Sequence, residues 1–435
     1  MTQSLQSLLN EQIDQLPRLI ADRLVRDKLE PYGLADNETI VDALVAHIFS
    51  GTDDSLIQID IDLPEGTLPD GLSLNIDDED LTFVTRVRDV FSEELPEILE
   101  SMARQAADTM NRRYRAGWPE WRSEVIAETA RFRSNIEKSW SKGFDLLRML
   151  IEISREQGME FDRRAQRSRS TKHAHLNTAL SHLHARALQI ASEIMVLMES
   201  GFADGAMARW RTLHEVTCVA MVLSEGGDAL AQRYLDHDVY ESKKALGVYQ
   251  QCHEALGFRP FSKRDATQIQ RAYDAAIASY GDSFGSEYGW AAAYLKPGKP
   301  KFRPGFDHIE AAAGRAMMRT YYKMASHNVH AGAKGIMSRL STFEGSPAGI
   351  AGASNVGFTE PGQNLGLSLL HFTMLLLPRR WTVDKIAFLM AIIDLESRVG
   401  PALVRSQTRI ARDERKIRRL LAEHAVEPAP FRTRR

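Results

Sequence analysis

Two cysteines in 435 residues, Cys218 and Cys252, are too few for a disulfide framework, and their spacing matches no zinc ligand pair. The reducing cytoplasm is the natural expectation for such a chain. Long apolar runs are missing as well. The most apolar stretch, LGLSLLHFTMLLL from Leu365 to Leu377, is 13 residues long, contains His371 and stops at Pro378. A membrane-spanning helix needs about 20. The first residues, MTQSLQSLLNEQIDQLPRLI, mix acids among their apolar positions and read as neither signal peptide nor anchor. No phosphate-binding loop and no HExxH motif occur, and SHLH (181–184) and HNVH (327–330) lack neighbouring carboxylates that would make a metal site. Neither a metal, a cofactor nor a membrane partner is therefore expected. Lysine is scarce too, 14 against 41 arginines, although the net charge is only -3.

That small net charge conceals strong local ones. Residues 51–80 carry ten Asp or Glu and no Lys or Arg, whereas residues 405–435 carry ten basic residues and four acidic ones. Such an acidic segment and basic tail could meet one another, another subunit, a partner protein or a polyanion such as RNA; two solvated surfaces are the plainer alternative.

Apolar spacing is helical nearly throughout. Pro17 fits the first turn of a second helix, and Asn37 fits the cap of a third that ends before Gly51. Only in LIQIDIDL and LSLNI, between 55 and 78, does the period fall to two, around the turn-rich PEGTLPDG. A β-hairpin with an acidic outer face is expected there. From Asp80 the helical pattern resumes, with Pro119 as a break and Gly158 as a candidate second one. Between Arg104 and Lys172 there are sixteen basic and ten acidic residues, so this stretch reads as a basic connector poor in core residues. Leu176, Leu180, Leu183, Ala187, Ala191, Ile194 and Met198 then keep one register up to Gly201. A helix capped by Asp204 follows, then helices over about 228–256, 312–327, 364–378 and 382–400. The expected fold is all-α, an antiparallel helical bundle with a small N-terminal α+β module containing one β-hairpin. Its divisions are an N-terminal module (1–118), a connecting helix (119–174), the bundle core (175–404) and a basic tail (405–435).

The stretch ARWRTLHEVTCVAMVL, Ala208–Leu223, mixes Trp210 and Leu213 with Arg209, Arg211, His214 and Glu215. Arg211 and Glu215 are four apart and share a face that continues through the apolar Cys218 and Val222, so the pair sits at a core boundary. A helix-fixing ion pair explains it. So does a polar pocket in which Arg211 and Glu215 meet His237 and His327 or His330, since buried polar groups need partners.

The run from ALQIASEIMVLMESGFADGAMARWRTLHEV through AQRYLDHDVYESKKAL to YYKMASHNVHAG resembles an uncharacterised bacterial family, domain of unknown function five-six-seven-seven. Its features fall on Gly201, Arg211, Leu213, Glu215, Glu241, Lys244, Ser326 and His330, over roughly 180–340. The resemblance implies a helical fold; together with the pocket reading above, it makes Arg211, Glu215, His237, Lys244 and Ser326 the expected pocket formers. A more distant similarity is to HEPN-like ribonucleases of bacterial toxins and antiviral systems, whose mark is Arg, four to six residues, then His. In that family His acts as general acid or base on the ribose hydroxyl and Arg steadies the phosphate. Arg209 and His214 fit the spacing, but six pairs in the chain do, against about four by chance. Arg319 and His327 have seven residues between them and depart from it.

Two functions are expected on these grounds. One is a metal-independent ribonuclease effector using His330, His327 or His214 with Arg319 or Arg209. The other is a non-catalytic scaffold or regulatory module that binds partners, or a second copy of itself, through its acidic hairpin and basic tail.

Overall fold

The computed structural model describes residues 5–50, 57, 59, 74, 75, 77–330, 332–337, 339–342 and 350–423. Among these residues every regular element is a helix. The chain divides into two units, 1–123 and 124–435, and the helix Asp78–Arg167 (α3) runs through the division.

In the first unit, α1 (Leu5–Leu29) and α2 (Glu38–Ser50) close a small core around Val25, Leu29, Ile40 and Val41. Pro17 lies inside α1 rather than opening another helix; a proline there deletes one N–H bond and does not force a stop. Asn37 caps α2, accepting from the Ile40 amide at 3.3 Å. Asp77 and Asp80 cap α3 reciprocally, Asp80 N donating to Asp77 at 3.1 Å and Asp77 N to Asp80 at 2.8 Å. Lys28 bridges both carboxylates at 3.0 and 2.8 Å. The hairpin expected between 55 and 78 lies outside the described residues except at Ile57, Ile59, Leu74, Asn75 and Asp77, and these carry no strand. Ile59 and Leu74 do pack against the small core.

In the second unit the supposed connector is core. Trp140, Phe144, Leu147 and Leu150 are fully buried. They form one apolar stripe on a helix charged elsewhere, which a charge count over the whole stretch averages away. Neither Pro119 nor Gly158 breaks α3. A Cβ on Gly158 would run into the His184 ring, so the glycine is a notch that admits α4 (Ala174–Glu199). His184 Nε2 lies 3.1 Å from Ser154 Oγ, itself 2.8 Å from Thr373 Oγ1.

After the turn at 200–202, α5 (Ala203–Asp236) packs along α4. The remaining helices are α6 (Asp238–Cys252), α7 (Lys263–Tyr280), α8 (Ala292–Leu295), α9 (Phe306–Ala312), α10 (Arg319–His327), α11 (Ala333–Met337), α12 (Thr359–Leu375), α13 (Val383–Ser397) and α14 (Val399–Glu423). Ile190, Ile194, Trp210, Leu213, Phe372 and Leu403 meet in one core drawn from α4, α5, α12 and α14.

Three boundaries differ from the sequence expectation. The helix expected over 228–256 is divided at His237, α5 having absorbed a kink at Gly227 (φ 75°). The helix expected over 312–327 is instead α9, a turn at 316–318 and α10, because Gly314 (φ 66°) takes the left-handed conformation that ends α9. Asp204 does not cap its own helix. It accepts from Leu340 N at 2.9 Å, Ser341 N at 3.2 Å and Ser341 Oγ at 2.5 Å, tying the segment after α11 to the first turn of α5. Among the described residues no helix is long and apolar enough to cross a membrane.

Two outcomes follow from His184. Gly158→Ala should cost about 1–3 kcal/mol by overpacking. Gly247→Ala, on α6 where a Cβ meets nothing within 4 Å, should gain about 0.5–1 kcal/mol from helix propensity; urea denaturation of both variants checks the contrast. Burial also pushes the His184 imidazole from 6.5 down to about 4. Its folded pKa is depressed, so the stability it confers is complete above about pH 6.5 and drains away as pH falls towards 4, about 2 kcal/mol being lost by pH 5. The drop in stability between pH 7.5 and 5 should shrink by that amount in His184→Gln.

Candidate functional site

A cavity of about 610 Å³ opens between α4, α5, the start of α6 and the loop before α8. Helical spacing builds its first wall, where Ala179, His182, Leu183 and Arg186 share one face of α4. Glu215, Val216 and Val219 continue it on α5, and Tyr234, Leu235, Asp238 and Glu241 line it where α5 passes into α6. The loop contributes Glu287, Tyr288 and Trp290.

Two residues near the end of α5 hold that loop. His237 lies with Nε2 at 3.1 Å from Phe284 O and 3.0 Å from Ser286 O; carbonyls only accept, so Nε2 carries the proton. Burial lowers the His237 pKa, against the opposing pull of its two carbonyl partners. Arg233 Nε donates to Trp290 O at 3.0 Å, and its guanidinium stands 4.6 Å from the Tyr280 ring centre. Tyr234 meets Trp290 edge-on at 5.2 Å.

The cavity is acidic. Glu215, Asp238, Glu241 and Glu287 face Arg186 as the one guanidinium in the lining. Among the described residues the side chains of Asp238, Glu241 and Glu287 make no hydrogen bond or ion pair, whereas Arg186 donates to Gln189 at 3.0 Å.

Glu215 connects the cavity to the structure behind it. Arg211 lies 3.2 Å from Glu215, with side chains 28% and 25% exposed, so the pair occupies the core boundary that its spacing implied. Arg211 Nε also donates to Ser326 Oγ at 3.2 Å, and its guanidinium stacks 4.4 Å over Tyr322, whose hydroxyl donates to Glu215. Arg211, Glu215 and Ser326 are thus brought together, with Tyr322 from α10 in the position expected of a histidine.

The other sequence candidates lie apart. His330 is exposed and His327 half-buried, and neither lines the cavity. Lys244 is exposed on α6, outside the lining. Arg209 is paired with Glu193 on α4. His214 is buried among Trp210, Phe306 and Tyr322, at 5.2, 5.9 and 6.1 Å between ring centres. Its Nε2 lies 2.8 Å from Glu310, a carboxylate only 1% exposed whose second oxygen lies 3.3 Å from Arg319. The pull of burial outweighs Glu310 and lowers the His214 pKa; burial likewise pushes the Cys218 thiol up. Sequence reasoning missed Glu310. The available signal was an acid set between Ile309 and Ala313 on the apolar face of a short helix. Among the described residues no group of three or more His, Cys, Asp or Glu could hold a metal ion.

Residues 177–347 match the family model described as a family of unknown function, DUF5677. This is the family whose resemblance the sequence carries over roughly 180–340. Every residue lining the cavity lies inside the match, as do Glu310, Arg319, Tyr322 and Ser326. No curated protein and no solved structure matches the chain.

Truncating the two carboxylates should separate their roles. Glu310→Ala leaves a buried imidazole without its partner and a third-exposed Arg319 guanidinium to water, and should cost about 2–3 kcal/mol. Glu215→Ala, at a quarter-exposed boundary where water can solvate Arg211, should cost about 1–2 kcal/mol, and Glu225→Ala, on an exposed site, close to nothing. Thermal and urea denaturation of the three variants checks the ranking.

Proposed function

We propose that the domain spanning 177–347 is a non-catalytic ligand-binding module whose cavity takes a small organic cation. The observation that carries this reading is the lining: Glu215, Asp238, Glu241 and Glu287 against Arg186, with Tyr234, Tyr288 and Trp290 among them. Carboxylates attract an ammonium group, and aromatic faces add cation–π attraction as it leaves water. The apolar residues Ala179, Leu183, Val216 and Val219 suit a hydrocarbon body between charged ends.

The alternative is metal-independent RNA cleavage. General acid–base chemistry on ribose needs an accessible imidazole within reach of a free cation for the phosphate. His214 is buried, Arg209 is held by Glu193, and a phosphodiester entering the cavity would meet repelling carboxylates. These features favour cation binding.

The test is calorimetric titration of the full chain with 1,4-diaminobutane, spermidine and tyramine, beside AMP and a short single-stranded RNA. At least one amine should bind, about tenfold more weakly after Glu241→Gln with Glu287→Gln, a loss of about 1.4 kcal/mol. Silence of the whole amine series overturns the reading. RNA cleavage that disappears in His330→Ala replaces it with the ribonuclease.

A further inference from the structure

The end of α3, the first turn of α4 and the segment after α12 enclose a second cavity, of about 210 Å³. Arg164 and Ser168 come from the first of these, Asn177 from the second and Arg379 from the third, with Ser224 of α5 beside them. Among the described residues no carboxylate lines it.

Cations near helix ends often serve only to answer the last carbonyls. Arg164 does so. Its Nη2 donates to Leu376 O at the end of α12, and its Nη1 lies 3.7 Å from Glu160, which also holds Arg163 at 2.7 Å. Arg379 answers neither a helix end nor an acid. Its contact among the described residues runs from Nη1 to His173 Nε2 at 3.2 Å, where the imidazole nitrogen accepts and the guanidinium keeps its charge unopposed. The side chains of Asn177 and Ser224 make no hydrogen bond among the described residues, and Ser168 Oγ only accepts, from Ser170 N at 3.3 Å.

Around the cavity the charge has mainly one sign. Residues 163–175 hold five Arg or Lys and two His, with no Asp or Glu. Arg167, Arg169, Lys172 and Arg380 are exposed and, among the described residues, without an ion pair. The acids nearby have other tasks: Asp228 lies 2.9 Å from both His175 Nδ1 and Leu176 N, Asp162 accepts from Ser181, and Asp384 stands in the first turn of α13, where a helix N-terminus favours it.

We propose that this pocket binds a phosphate group. At pH 7 a phosphate monoester carries about 1.5 to 2 negative charges and three acceptor oxygens; the two guanidiniums, the Asn177 amide and the two serine hydroxyls supply the matching charge and donors. A carboxylate carries one charge and is satisfied by one bidentate guanidinium. The volume lies below the roughly 300–1,000 Å³ of sites that enclose a whole ligand, so the phosphate enters and the rest of its molecule stays outside, among free cations that draw it in. The pocket shares no lining residue with the acidic cavity.

The test is calorimetric titration of the full chain, at constant ionic strength, with inorganic phosphate, glycerol 3-phosphate and acetate. Phosphate should saturate with a dissociation constant below about 1 mM. Tighter binding of glycerol 3-phosphate assigns the site to an ester, weaker binding to the free ion. Arg379→Gln, at an exposed position, should weaken binding roughly tenfold or more. Asn177→Asp suits the first turn of α4 but sets a carboxylate in the pocket, so it should abolish binding without lowering the melting temperature. Arg271→Gln, the same loss of charge on exposed α7, should change binding less than about twofold, as should Glu241→Gln with Glu287→Gln, whatever becomes of amine binding. No saturation by about 10 mM phosphate overturns the proposal. So does acetate binding as tightly as phosphate, full binding by Asn177→Asp, or a loss in Arg271→Gln equal to that in Arg379→Gln.

Discussion

A carboxylate that is 1% exposed must be answered by donors or cations, because removing its charge from water costs several kcal/mol. Glu310 is answered by His214 from α5 and Arg319 from α10. Helices as short as α9 and α10 do not hold together alone, and this cluster, beside the apolar contacts of Phe306, Ile309 and Tyr322, ties both to α5. Once docked, α10 delivers Tyr322 and Ser326 to Arg211 and Glu215. Glu215 then turns its remaining face to the cavity. The shape of the candidate site thus descends from a charge that has no contact with it.

The parts of this order that follow from spacing were legible beforehand. Register over 176–198 marked α4, and the four-residue interval between Arg211 and Glu215 located a boundary pair. Periodicity tells which face of a helix turns inward, but not which distant residue meets it there. Tyr322 and Glu310 answer groups on α5 from about a hundred positions away, and nothing local to them distinguishes an acid that clamps two helices from one that is solvated. Histidines drew attention by residue type, yet the exposed His330 and the buried His214 serve neither wall of the cavity. The core stripe on α3 was hidden for a different reason: it occupies one narrow face of a helix whose other residues are charged.

The histidines themselves argue about function. Burial pushes His184 and His371 down to about 4 and lowers His214 and His237 as well. His184, His214 and His237 are each engaged within the fold, with Ser154, with Glu310 and with the carbonyls of Phe284 and Ser286, whereas a general acid or base works best with its pKa near the pH at which it acts. His237 illustrates the difference. It borders the cavity, but its Nε2 proton is committed to two backbone carbonyls, so it holds the loop that carries Glu287, Tyr288 and Trp290 and has no proton to exchange there. What lines the cavity is acidic charge, aromatic surface, the Arg186 guanidinium and the exposed His182 imidazole. Carboxylates and aromatic faces are the groups on which the proposed cation binding rests.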